Sequence, residues 1–156
     1  MRGRAPGFMA ALTVALTATL VALTARVATA ATPPQELSVW DGVYSTAQAR
    51  RGAALFVQHC VACHATQPGA VAGHGPAPAV LGEAFAFRWL ESAVGDLFDT
   101  IRQTMPEAAP ASLSAAEYAA ITAYVLELNG YPAVSADLDP TARERLLSTW
   151  IDASPP

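Results

Sequence analysis

Apolar residues along the chain recur at helical spacing, and no segment shows the alternation of a half-buried strand. Ala49, Gly52, Ala53 and Phe56 fall at i, i+3, i+4 and i+7, and one further turn lands on Cys60. Arg50, Arg51 and Gln58 take the other side. Ser45-Thr46-Ala47-Gln48 has the layout of a capping box, so a helix is predicted to open there. A short helical stretch follows over Ala84–Ala93, carrying Phe85, Phe87 and Trp89, with Gly95 as its breaker. Asp96 then reads as the cap of a helix that turns Leu97, Phe98 and Ile101 inward. That helix ends near Thr104, because Pro106 disfavours the α conformation at Met105. Ser114-Ala115-Ala116-Glu117 is a second capping box, followed by Tyr118, Ile121, Tyr124, Val125 and Leu128 on one face. Gly130 stands where a C-terminal glycine cap belongs. Asp139-Pro140 opens a last short helix with Leu146, Leu147, Trp150 and Ile151 on one side, expected to pack on the rest of the domain. The predicted fold class is all-α, with short helices and long, proline-marked loops.

The two ends read differently from the middle. Met1-Arg2-Gly3-Arg4, the uncharged run Phe8 to Ala25, and the small residues Val27 to Ala31 have the layout of a secretory signal cleaved after Ala30. The alternative is a retained anchor, the one case in which a membrane becomes a partner; both place the remainder outside the cytoplasm. Residues 31–44 form a leader, with Trp40 folding back onto the domain. Residues 45–132 form the domain itself, and 133–156 a C-terminal extension with its short helix.

Composition narrows the function. The 156 residues contain no lysine, and from residue 31 onward six arginines face thirteen acidic residues, a net charge of −7. Such a chain has no cationic surface to offer nucleic acid. Two cysteines are too few for a disulfide-built scaffold.

Those two cysteines lie in Cys60-Val61-Ala62-Cys63-His64. Two cysteines at this spacing serve as a redox dithiol, as half a zinc site, or as the attachment point of a c-type haem. A zinc site needs four ligands, and assembling them would require Cys60, Cys63, His64 and His74 with no supporting spacing. A dithiol oxidoreductase needs a βαβ context. Haem attachment uses all three residues: thioethers from Cys60 and Cys63 to the vinyl groups, and His64 to the iron. A haem also offers Phe56, Leu81, Phe98, Ile101 and Tyr124 a plate to pack on, in a domain with little core of its own.

For the other axial position, Met105 is the only methionine beyond the export segment. The Phe98, Ile101, Met105 spacing turns it inward, and Pro106 releases it from its helix. A His/Met pair raises the potential of the iron and marks electron carriers. His74, in the glycine-rich loop from Ala65 to Gly82, is the rival ligand; His59 adjoins Cys60 too closely to reach across the ring. The His64 ring also needs an acceptor, and the Pro76–Gly82 stretch is the natural source of a backbone carbonyl.

Residues 45–132 resemble a class I (mono-haem) bacterial c-type cytochrome domain. The matching elements are the Cys60–His64 motif, Pro78-Ala79-Val80-Leu81-Gly82, Thr104-Met105-Pro106 and Tyr118 to Leu128. The resemblance implies the cytochrome c fold, one covalent haem c, His64/Met105 ligation and the Pro78 carbonyl as acceptor for the His64 ring. It also implies that Gly52 and Phe56 pack against Tyr124. Val39 to Ser45, Leu97 to Arg102 and Tyr131-Pro132 are similar to cytochromes found beside, or fused to, pyrroloquinoline-quinone dehydrogenases. Residues 139–156 match no part of the family pattern. The expected function is a periplasmic one-electron carrier between a dehydrogenase and an oxidase or other cytochrome, rather than an enzyme. A haem sensor or peroxidase-like enzyme is the alternative, and would need an open sixth position.

Overall fold

Ser45 stands in extended conformation (φ −97°, ψ 152°), and its hydroxyl accepts from the Gln48 N–H to open helix α1, Thr46–His59. The reciprocal half of a capping box is not used. Gln48 instead donates to the Leu138 carbonyl (2.9 Å) and accepts from the Leu138 N–H (2.7 Å), fastening α1 to the distant tail. This computed structural model describes residues 37–64, 66 and 77–155. The expected signal segment, the first residues of the expected leader and His74 lie outside the described residues.

Helix α2 spans Gly82–Trp89 and α3 spans Val94–Thr104. Gly95, expected as a breaker, sits buried in the first turn of α3, and Ala93 rather than Asp96 is the N-cap. A methyl group there would lie 3.0 Å from Leu147 and 3.2 Å from the Leu146 backbone. The glycine therefore serves a close approach between elements, which local sequence does not reveal. Helix α4, Ala115–Leu128, has the full capping box between Ser114 and Glu117. It is buried on more than the one expected face: Ala119, Ala120, Thr122, Ala123 and Leu126 are enclosed along with Tyr118, Ile121 and Val125. The Thr122 hydroxyl satisfies itself on the Tyr118 carbonyl at 2.9 Å.

The core is the crossing of α1 and α4, with Gly52 at the contact and the rings of Phe56 and Tyr124 edge-on at 5.5 Å. Helix α5, Arg143–Leu147, packs on α3, and Arg143 pairs with Asp99. Two short strands complete the frame: β1, Leu37–Ser38, lies parallel to β2, Thr149–Trp150. Val39 and Ile151 are fully buried, and the Trp40 indole donates to the Asp152 carbonyl at 3.0 Å while stacking edge-on against Tyr131. The five α-helices among the described residues make the fold all-α.

Candidate functional site

The last turn of α1 continues past its end. Cys60 and Val61 both donate to the Phe56 carbonyl, at 2.8 and 3.0 Å, and Cys63 and His64 both donate to the Cys60 carbonyl, at 3.0 and 2.9 Å. This coiling turns Cys60 and His64 to one side, where they form part of the wall of a cavity with about 760 Å³ of empty space, its open mouth included. Cys63 is half-buried and lies outside that wall.

His64 is buried, and its Nδ1 lies 2.8 Å from the Pro78 carbonyl oxygen. A carbonyl only accepts, so Nδ1 carries the proton and donates. Nε2 then keeps its lone pair for a metal, the tautomer fixed as metal-bound histidines require. Phe56 flanks the imidazole, ring centroids 6.5 Å apart.

Met105 is the C-cap of α3, and its extended conformation (φ −123°, ψ 152°) is what a following proline imposes. Met105 lines the same cavity as Cys60, His64 and Pro78. The stripe of α3 that faces the cavity is Leu97, Thr100, Ile101 and Thr104, not the expected Phe98. Phe98 is buried in the core behind it. Leu81 caps α2, Tyr124 backs Phe56, and neither lines the cavity; Ile121, Val125, Val80, Phe85 and Trp89 do.

Sequence reasoning missed three contributors. Among the described residues, Arg88 is the one charged side chain lining the cavity, with its guanidinium 5.2 Å from the Trp89 ring centroid. Tyr118 donates to the Met105 carbonyl at 2.7 Å. Asn129 bonds the backbone at Val80 and Gly82. The last two are long-range contacts, one from the first turn of α4 and one from its C-cap, and neither leaves a local signal in the sequence.

Burial pushes the Cys60 thiol up to about 11, and the neighbouring Cys63 adds to the shift. Reactive dithiols require the opposite, a lowered pKa in electropositive surroundings. Among the described residues, no three His, Cys, Asp or Glu side chains are gathered to hold a metal ion.

The residues present fit a haem: an apolar cavity holds one thiol of the Cys60–Cys63 pair, an oriented imidazole and a thioether on its wall. Fold and site together define a c-type cytochrome. A sequence model of the family described as cytochrome c oxidase, cbb3-type, subunit III, matches residues 47–125, and the chain belongs to that family. Its fold is the all-α cytochrome c fold, its cofactor class haem c and its role haem-based electron transfer. No curated protein and no solved structure matches the chain.

Proposed function

We propose that this chain is a periplasmic one-electron carrier. It holds one haem c through thioethers from Cys60 and Cys63, with His64 and Met105 as axial ligands and the Pro78 carbonyl orienting His64. When bound, the haem supplies a reversible ferric–ferrous couple. The chain contributes a fixed ligand pair and an apolar enclosure, which together avoid ligand exchange during transfer. The observation that carries this reading is that His64, its Nδ1 already engaged, and Met105 line one and the same cavity.

On the acceptor side, the matched family is described as an oxidase subunit, which supports an oxidase or another cytochrome. On the donor side, the likeness of Val39–Ser45 and Leu97–Arg102 to dehydrogenase-associated cytochromes supports a dehydrogenase, of the quinoprotein kind. With net charge −7 and no lysine from residue 31 onward, docking proceeds through an apolar patch at the cavity mouth or against a basic partner. Partners of this kind use small, short-lived interfaces.

The test is optical. A reduced-minus-oxidised spectrum with the weak far-red sulfur-to-iron band, and no rapid carbon monoxide binding to the ferrous form, is the expected result. Fast stoichiometric carbon monoxide binding would instead assign a haem sensor or peroxidase-like enzyme with an open position.

A further inference from the structure

Two loops frame the cavity, one bearing Pro78 and the other Met105, and each is tied to a different end of α4. At the C-terminal end, the Asn129 carboxamide donates to the Val80 carbonyl at 2.9 Å and to the Val125 carbonyl at 2.8 Å. Its oxygen accepts from the Gly82 N–H at 3.0 Å. One side chain thereby holds the backbone on both sides of Leu81, two residues beyond the carbonyl that meets His64. At the N-terminal end, the fully buried Tyr118 donates to the Met105 carbonyl at 2.7 Å and accepts from the Leu113 N–H at 3.3 Å. About 16 Å of helix separates these positions, at the standard rise per residue. Close-packed surroundings along that length keep it from flexing.

We propose that α4 is a rigid bracket for the axial pair, with Asn129 and Tyr118 as separate positioning residues. Asn129 sets the His64 side through the Pro78 carbonyl, and Tyr118 sets the Met105 side through that residue's own backbone. The inference rests on the reading of His64 and Met105 as axial ligands. It goes beyond that reading by assigning each ligand its own control point on one helix. An acceptor on Nδ1 raises the basicity of a ligating imidazole. Loosening the Pro78 carbonyl therefore favours the ferrous form and moves the potential upward. Removing the Tyr118 hydroxyl strips the Met105 carbonyl of its partner and lets the thioether leave the iron more often.

The experiment uses the haem-loaded full chain with Asn129→Leu, the milder Asn129→Ser, Tyr118→Phe and the Leu/Phe double variant. Two signals are followed: solvent exchange of the His64 ring N–H by nuclear magnetic resonance, and the rate of carbon monoxide binding to the ferrous form. Asn129→Leu is expected to speed ring N–H exchange about tenfold, the scale of losing one buried hydrogen bond, and to raise the potential with carbon monoxide binding unchanged. Asn129→Ser shifts ring N–H exchange and the potential less, in the same direction, again with carbon monoxide binding unchanged. Tyr118→Phe is expected to speed carbon monoxide binding about tenfold with ring N–H exchange unchanged. The double variant shows both effects, each at its single-variant size. Lower melting temperatures with both signals unmoved would make these contacts merely structural and overturn the bracket. So would either single variant moving both signals. Absence of the far-red sulfur-to-iron band in the unmodified protein would overturn the axial pair itself, a failure distinct from that of the bracket.

Discussion

Gly52 and Ala120 stand so close that a methyl group on Gly52 would lie 1.8 Å from the Ala120 carbonyl oxygen. The obstacle is backbone, which cannot swing aside, and the Tyr124 Cβ closes the other side at 3.0 Å. Gly52→Ala should therefore force α1 away from α4 and cost about 3 kcal/mol, the upper range for overpacking. The helix propensity gained by alanine, about 1 kcal/mol, is smaller and does not offset it. Thermal unfolding measures the loss; an unchanged or higher melting temperature would mean that the two helices do not touch there.

A chain ending at Leu138 should be markedly less stable. It loses the buried Leu146 and the fully buried Ile151, and it uncovers Gly95 in the first turn of α3 and the β1 segment. Burial of two such side chains contributes about 3–6 kcal/mol, a large part of the about 5–15 kcal/mol that holds a domain together. The expected fall in melting temperature is at least about 10 °C. An unaltered melting temperature would show that the extension does not support the domain.

Alkaline pH should weaken the fold through Tyr44. Its hydroxyl is buried, donates to the Tyr131 carbonyl, and is pushed up to about 12 by burial, with the Glu127 charge adding. The folded state thus favours the neutral phenol. The stabilisation is complete below the unfolded value of 10.0 and is lost as pH rises from there to about 12. It is worth about 2–3 kcal/mol. Tyr131 is also raised, by burial and by Asp152, so it adds loss in the same direction. Urea midpoints on either side of this window should separate by less in Tyr44→Phe than in the unmodified protein; an equal separation would place the alkaline loss elsewhere.

Met105→Ala should keep its attached haem while the potential falls by roughly up to a few hundred millivolts, the reach of axial-ligand exchange. It should also acquire carbon monoxide binding. An unchanged spectrum and potential would mean that another residue, His74 foremost, holds the sixth position.

Local signals in the sequence were legible and non-local ones were not. Ser114 and Glu117 announce α4 because their bonds span three residues, and Pro106 announces the end of α3 for the same reason. Gly95 reads as a breaker only until the Leu146 backbone is seen against it. Gln48 sits in a capping pattern, yet it is spent on Leu138, 90 residues away. That choice depends on a tail with no local trace of its destination. The two-residue strands are too short for any alternation to register, and their pairing joins opposite ends of the described chain. At the site, the Cys60–His64 motif is contiguous and Met105 has no competitor of its kind, so both stand out. The Tyr118 and Asn129 contacts reach across 13 and 49 residues, and their side chains carry no mark of it.

The most direct measurement is the mass of the protein produced where cytochrome maturation is active. The expected result is a polypeptide heavier by one haem that resists acid-acetone extraction, with that added mass reduced or lost in Cys60→Ser and Cys63→Ser. A mass equal to that of the amino acids alone would contradict it.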